Sequence, residues 1–202
     1  MKNILLIVDP QMDFISGSLA VPEADGKMYG LAKYIEDKQN AYDHILVTLD
    51  SHPDNHCSFI DNGGMWPKHC VTYTKGWDIY PYLSEILNKI SSVACYHKGD
   101  SSDKEEYSIF ENEEDGLTLR RQILDLLEED NELYIDVCGI AGDYCVLETI
   151  KGLSGIVGNE NISVLNDYVA SIDGGQKLQE YLETNNINNI IDSHLNLQEY
   201  VR

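Results

Sequence analysis

The chain has 202 residues, 43% of them hydrophobic, which fits one α/β domain spanning residues 1–202 with a sizeable core. Its formal net charge is −21, from 35 acidic and 14 basic side chains, and that charge excludes nucleic acid and anionic membrane surfaces as expected partners. With no export signal, no apolar run near the ~20 residues of a membrane span and an odd number of cysteines, we expect a cytoplasmic protein in a reducing compartment.

The first half of the chain is predicted to alternate strands and helices. Lys2–Val8 is a nearly continuous apolar run that ends at Asp9, as expected of a central parallel strand buried on both faces. Lys27–Asn40 has the spacing of an amphipathic helix, and His44–Leu49 reads as a second strand. Residues 51–81 then form a long loop, and loops of that length in compact domains tend to be functional.

The same alternation continues to the end of the chain. A short helix over Tyr82–Lys89 leads to a third strand, Ser92–His97, and a polar loop precedes a helix over Leu117–Leu127. Three more strands and two more helices follow: strands Leu133–Cys138, Ile162–Leu165 and Ile187–Ile191, and helices starting near Gly142 and over Gln176–Thr184. This order predicts a three-layer, doubly wound α/β fold, with helices on both faces of a mostly parallel six-stranded sheet.

Four reactive side chains follow predicted strands. Asp9, Asp50 and Lys98 lie at or just past the carboxyl end of a strand, and Cys145 lies just beyond another. In open α/β sheets the ligand crevice lies outside those carboxyl ends. We therefore expect the four side chains to converge on one edge of the sheet.

Cys145 is the candidate nucleophile. It follows its strand through a turn marked by Gly139 and Gly142, a context that resembles a nucleophile elbow. At the start of a helix, unpaired N–H groups would lower the pKa of the thiol and hold an oxyanion. The alternative is a small buried core thiol. That interpretation is preferred for the other four cysteines: Cys57, Cys70, Cys95 and Cys138.

Asp9 and Lys98 are candidates for handling protons and charge. An acid beside a thiol can accept the thiol proton and later deliver a proton to a leaving group. The alternative for Asp9 is a helix cap or a loop acid. Lys98 would either hold that carboxylate ionised or be a surface cation at a strand end, and the residues alone favour the surface cation.

Histidine and aspartate side chains crowd the long loop. Asp50, His52, His56 and His69 offer oxygen and nitrogen ligands, which suit Zn²⁺ and also Fe²⁺ or Mn²⁺. Their spacing is no zinc-finger pattern, so an open catalytic or substrate-orienting site is favoured over a structural one. The alternative is a set of solvated loop histidines.

Three aromatic residues lie in predicted loops on the same edge. Phe14, Trp66 and Tyr107 would either sandwich a planar ring or cover the core. The choice between these roles stays open at this point.

Several segments together match the motifs of a known family: Ile4–Phe14 with Gly17–Val21, Thr48–Phe59 with Trp66–Val71, His97–Gly99 with Tyr107–Phe110, and Gly139–Val146. They are spread over nearly the whole chain. On these residues the chain resembles the isochorismatase-like cysteine hydrolases, and within them the nicotinamidases.

The resemblance implies a separate catalytic role for each reactive residue. Cys145 would be the nucleophile, Asp9 the general acid and base, and Lys98 its partner. It also implies a cis peptide between Ile140 and Ala141, with the N–H groups of Ala141 and Cys145 forming an oxyanion hole.

The resemblance also implies a metal ion and a substrate. Asp50, His52 and His69 would ligate one divalent ion, with Zn²⁺ expected first and Fe²⁺ or Mn²⁺ as alternatives. His56 would be a further ligand or hold a metal-bound water. The substrate would be nicotinamide, and pyrazinamide as well. Four residues would contact it: Phe14, Trp66, Tyr107 and Ala141.

Three other functions compete with nicotinamide hydrolysis. They are hydrolysis of another small amide or carbamoyl compound, the vinyl-ether chemistry of other isochorismatase-like proteins, and silent binding of a metal or metabolite. Gly142 stands where many relatives have threonine, and Ser51 where a larger residue is frequent; both positions are expected to touch the pocket wall. The resemblance is compatible with a homo-oligomer.

Overall fold

A computed structural model describes residues 2–130 and 132–191 of the chain. Six strands form one sheet: β1 (Lys2–Val8), β2 (His44–Asp50), β3 (Val93–Lys98), β4 (Leu133–Ile140), β5 (Ile162–Ala170) and β6 (Asn188–Ile190). Their order across the sheet is β3-β2-β1-β4-β5-β6, and all five neighbouring pairs are parallel. The expected parallel α/β sheet is confirmed.

In the described part of the chain, six α-helices accompany the sheet: α1 (Met12–Ile15), α2 (Ala24–Lys38), α3 (Pro81–Leu87), α4 (Asp115–Asp130), α5 (Leu147–Val157) and α6 (Gln176–Asn185). Helix α2 packs on α3 and on β5, whereas α4 and α5 pack on each other and on the sheet. Helical layers therefore cover both faces. Within the described ranges, no helix combines the length and apolar character needed to cross a bilayer.

The centre of the sheet is the most apolar part of the core. From Ile4 to Val8 every residue of β1 is fully buried, because β2 and β4 flank the strand and helices cover both of its faces. That environment explains the continuous apolar run in the sequence, since a central parallel strand has no solvent face.

Strand β5 is longer than expected. β5 was expected to stop at Leu165 but runs on to Ala170, through the polar pair Asn166 and Asp167. The pairing register between β4 and β5 shifts at this point, so polar residues are accommodated in an irregular stretch of the strand. Helix α1 was not predicted, and the helices and strands other than α1, α5 and β5 begin and end within a few residues of the predicted positions.

The turn after β4 is not the simple helix start that was expected near Gly142. Residues Gly142–Val146 form a π-helical turn, in which the Val146 N–H donates to the Ala141 carbonyl over 3.0 Å. Regular helix begins only at Leu147. Cys145 therefore lies within the wider turn, and such turns occur often at functional sites.

Candidate functional site

The four reactive side chains meet at the carboxyl edge of four adjacent strands. Asp50 and Lys98 are the last residues of β2 and β3, Asp9 follows β1, and Cys145 lies in the turn after β4. All four are at most 6% exposed. Asp9 has a left-handed backbone (φ 47°), which is uncommon for a residue with a side chain and turns the chain out of the strand. The predicted convergence is confirmed.

Lys98 is the cation at the centre of this cluster. Its Nζ lies 2.9 Å from Asp9 Oδ2, contacts Asp50 Oδ1 and donates to Cys145 Sγ over 3.6 Å. Burial acts to lower the pKa of the ammonium group, but the Asp50 and Asp9 carboxylates outweigh burial and raise it well above its usual value. The interpretation of Lys98 as a surface cation was therefore wrong, because the strand end on which it lies is covered by loops.

A buried ammonium group that balances two carboxylates should matter for folding. We expect Lys98→Met to lower the free energy of unfolding by about 3–5 kcal/mol, because Asp9 and Asp50 then stay buried without their cation. The matched control is Lys68→Met, which removes an exposed pair with Asp54 at 2.7 Å and should cost less than about 1 kcal/mol. Urea unfolding of both metal-free variants measures the difference, and equal losses would contradict the expected role of burial.

Asp9 is poised to exchange a proton. Thr48 Oγ1 donates to Asp9 Oδ1 over 2.7 Å. Burial raises the pKa of the Asp9 carboxyl above its usual value, although Lys98 acts in the opposite direction. The Cys145 Sγ and carboxylate oxygens of Asp9 and Asp50 lie within 4.8 Å of one another. The thiol and the Asp9 carboxyl group are therefore close neighbours in the buried cluster.

The resting thiol differs from expectation. Burial raises the pKa of Cys145 well above its usual value, against the opposing effect of Lys98. The expected lowering by a helix start is not found, because the thiol is buried and regular helix begins two residues later. A thiol that is neutral at rest needs a base to remove its proton before it can act as a nucleophile. The carboxylate of Asp9 is a nearby candidate for that base.

The other cysteines divide into two groups. Cys70 and Cys138 are buried, as expected of core thiols. Cys57 is half-buried and Cys95 is exposed, so the core-thiol interpretation was wrong for these two. Cys95 is exposed because β3 is an edge strand of the sheet.

Asp50, His52 and His69 form a compact group of potential metal ligands. Asp50 Oδ2 lies 3.5 Å from His52 Nε2 and 3.9 Å from His69 Nε2, and one ligand atom of each residue lies within 4.8 Å of the others. The two histidine residues are at most 4% exposed, which rules out the interpretation as solvated loop histidines. The Lys98 ammonium holds the pKa of Asp50 well below its usual range despite burial, so this carboxylate is ionised.

The orientation of the two imidazoles fits a metal ion. His52 Nδ1 donates to the Gly99 carbonyl and His69 Nδ1 to the Pro67 carbonyl, each over 2.8 Å. Each neutral ring then presents the lone pair of Nε2 to Asp50, the arrangement found around metal-binding histidines. His52 Nε2 is buried and has no hydrogen-bond partner among the described residues. A cation would satisfy that atom.

His56 lies beside this group in a different environment. Its ring stacks on His52 with 4.0 Å between centroids, but its Nε2 donates to the Lys104 carbonyl over 3.0 Å and its Nδ1 bonds Ser58 Oγ over 2.7 Å. Both ring nitrogens are thus engaged by the protein. This arrangement disfavours direct ligation by His56.

A small cavity opens beside Cys145 and two of the potential metal ligands, Asp50 and His69. Phe14, Trp66, Tyr107 and Ala141 all line it, as expected of residues that contact a ring. Phe14 lies in α1 rather than in a loop. The peptide between Ile140 and Ala141 is cis, as the resemblance implied.

Sequence reasoning missed several residues that line the cavity: Leu19, Val21, Glu105, Tyr144 and Ile172. The Tyr144 ring contacts the rings of Trp66 and Tyr107, with centroids 5.1 Å and 5.5 Å apart. Its position next to Cys145 could have indicated it. Ile172 follows the carboxyl end of β5, where site residues are expected. It was missed because the predicted strand ended at Leu165 rather than at Ala170.

Ser51 and Gly142 do not line the cavity, contrary to expectation. Ser51 Oγ bonds His97 Nδ1 over 2.7 Å and accepts from the Trp77 indole N–H over 2.9 Å, so it faces away. A Cβ atom at residue 142 would lie 2.1 Å from Ser171 Oγ. Glycine at this position therefore accommodates the neighbouring serine.

Comparisons with known proteins agree with the family resemblance found in the sequence. No family model matches the chain. A pyrazinamidase of Pyrococcus horikoshii, solved in complex with zinc, superposes with a TM-score of 0.78 at 28% identity and covers 95% of this chain and 100% of its own. The yeast nicotinamidase bound to the inhibitor nicotinaldehyde gives a TM-score of 0.79 at 25% identity, covering 94% and 100%. A nicotinamidase of Escherichia coli is 31% identical over 162 residues, or 72% of this chain and 73% of the relative. The chain belongs to the nicotinamidase family.

Proposed function

We propose that the chain hydrolyses nicotinamide to nicotinate and ammonia, and pyrazinamide in the same way. The observation that carries the proposal is the contact of Lys98 with Asp9, Asp50 and Cys145 in one buried cluster. A cavity lined by aromatic side chains opens directly beside it. The names of the relatives support the same reaction. A cytoplasmic location, a single domain and a homo-oligomer stay predictions.

Binding would place the substrate ring among Phe14, Trp66 and Tyr107. The Trp66 indole N–H donates to the Tyr107 hydroxyl over 3.1 Å, so these two rings hold each other in place. Rigid walls of this kind keep the carboxamide carbon near Cys145 Sγ, and such positioning lowers a reaction barrier by several kcal/mol.

Attack would begin with transfer of the thiol proton from Cys145 to Asp9. The sulfur then bonds to the carboxamide carbon, and the oxygen that gains negative charge accepts hydrogen bonds from the N–H groups of Ala141 and Cys145. Lys98 stays protonated through this step and keeps the charge of the cluster balanced.

Collapse of the tetrahedral intermediate would break the bond between carbon and nitrogen. Asp9 gives its proton to the departing nitrogen, which leaves as ammonia, and the acyl group stays on Cys145 as a thioester. A water molecule then loses a proton to Asp9 and attacks the thioester carbon. Collapse of this second intermediate breaks the bond between carbon and sulfur, and Asp9 returns its proton to the Cys145 sulfur. The acid product loses its own proton to solvent and leaves as nicotinate.

Asp50, His52 and His69 would hold one divalent metal ion. When bound, the ion supplies a coordination position for the ring nitrogen, which orients the carboxamide over the thiol. Zinc is the first expectation, supported by the zinc complex of the Pyrococcus horikoshii relative and by the mixed nitrogen and oxygen donors. Iron and manganese fit the same donors.

Removal of one imidazole should empty the metal site. We expect His52→Ala to lose bound metal and to weaken substrate binding, because the two remaining groups form an incomplete ligand set. Metal analysis of purified protein and the KM for nicotinamide measure the effect. His44→Ala, at the start of β2 and away from the cavity, is the matched control and should keep its metal. Unchanged metal content in His52→Ala would refute the ligand assignment.

Ammonia release tests the proposed reaction directly. We expect release from nicotinamide and pyrazinamide, and slower release from aliphatic amides and carbamoyl compounds that lack the ring. Preference for one of those other amides would assign the chain to a different amidase reaction. Absence of turnover on every amide, with bound metal retained, would favour a silent binding protein.

A further inference from the structure

The main chain of Asp50 extends beyond the reach of strand β1. Pairing between β1 and β2 ends at Val8 and Thr48, after which Asp9 turns out of the sheet. On its other side Asp50 still pairs with Lys98 of β3. The end of β2 that carries a proposed metal ligand therefore has a regular strand neighbour on one side only.

The side chain of Gln11 lies beside the main chain of Asp50, on the side where β1 no longer flanks β2. Its Oε1 accepts from the Asp50 N–H over 2.8 Å, and its Nε2 donates to the Asp50 carbonyl over 2.7 Å. The second hydrogen of Nε2 is donated to the Trp77 carbonyl over 3.0 Å. Gln11 is fully buried, so no water competes for these bonds.

We propose that Gln11 is a positioning residue for the metal site, acting through Asp50. By bonding both main-chain groups of Asp50, the amide fixes the residue from the side that β1 leaves open. The Asp50 carboxylate is then held with Oδ1 on Lys98 and Oδ2 toward His52. The inference rests on the proposed function only in taking Asp50 as a metal ligand.

An amide of this length is the group that the site requires. The Asp50 N–H needs an acceptor, while the Asp50 and Trp77 carbonyls need donors. A carboxylate offers no donor, and an apolar side chain offers neither. Asparagine carries the same groups on a shorter stem, so it cannot reach all three partners at once.

The test compares zinc affinity with folding stability. Zinc is titrated into metal-free protein in competition with a chromophoric chelator, and urea unfolding of the same metal-free samples is measured in parallel. We expect Gln11→Met to raise the Kd for zinc by about tenfold or more, since losing a supporting hydrogen bond around a ligand commonly costs about 10–100-fold in affinity. If Gln11→Met does not fold, Gln11→Asn serves in its place, with the same expected direction.

Asn159→Met is the matched control. Asn159 also donates its side-chain amide to a main-chain carbonyl, that of Asn185 over 2.9 Å. It lies just before the amino end of β5, at the opposite edge of the sheet from the cluster, and outside the cavity lining. It should lose stability without a change in Kd. A folded Gln11 variant with the Kd of the wild type would overturn the positioning role alone. Failure of the wild-type protein to bind any of zinc, iron and manganese would overturn the proposed metal site and this inference with it.

Discussion

Cys145→Ala is expected to reduce ammonia release from nicotinamide to the uncatalysed background. Removing a nucleophile typically costs a factor of about 10⁴–10⁶ in kcat, because no other group can form the covalent intermediate. Metal content should stay at the wild-type level, since Asp50, His52 and His69 are untouched. Ring binding should also persist, as measured by calorimetry with nicotinamide.

A second cysteine provides the control for this variant. Cys95→Ala changes an exposed thiol on the edge strand and should leave kcat unaltered. Retention of more than about a tenth of wild-type activity by Cys145→Ala would rule out covalent catalysis by this residue. A loss of metal from Cys145→Ala would instead indicate that the thiol holds the ion.

Asp9→Asn is expected to lower kcat by a factor of about 10²–10⁴, the usual contribution of a general acid and base. Asparagine has nearly the same shape as aspartate but cannot take the thiol proton or return it to the departing nitrogen. Substrate binding should change less than kcat, because Asp9 does not line the cavity. Steady-state kinetics that separate kcat from KM measure this division.

Asp136→Asn is the matched control for Asp9→Asn. Asp136 is a partly buried carboxylate in β4 that accepts a hydrogen bond from the Tyr42 hydroxyl over 2.7 Å, outside the site. It should alter stability and leave kcat intact. An Asp9→Asn enzyme that loses less than about tenfold in kcat would contradict the proton-transfer role.

Much of the fold could be predicted because its strands carry strong patterns. The apolar run of β1 and the polar residues that end β1, β2 and β3 identified both the sheet and its reactive edge. The order of the strands across the sheet was not predicted, since it depends on packing between distant segments. The predicted range of β5 was too short, because Asn166 and Asp167 resemble turn residues when the register shift is not known.

Side-chain environments were harder to predict than positions. Lys98 looks like a surface cation in the sequence, and only the loops folded over the strand ends bury it between two carboxylates. His56 belongs to the same motif as His52, yet the Lys104 carbonyl engages its Nε2. Gln11 gave no indication of its role, because the vacant place beside Asp50 exists only once Asp9 has left the sheet.

The pairing of β4 with β1 also affects how the protein folds to its active state. Leu133 lies beside Lys2, so the two central strands are brought together from segments more than a hundred residues apart in the chain. Both carboxylates and the lysine of the cluster are synthesised before the strand that delivers the thiol. The cluster therefore forms only when distant segments of the chain have come together. Enzyme activity during refolding should accordingly appear with the folded protein and not with an early intermediate.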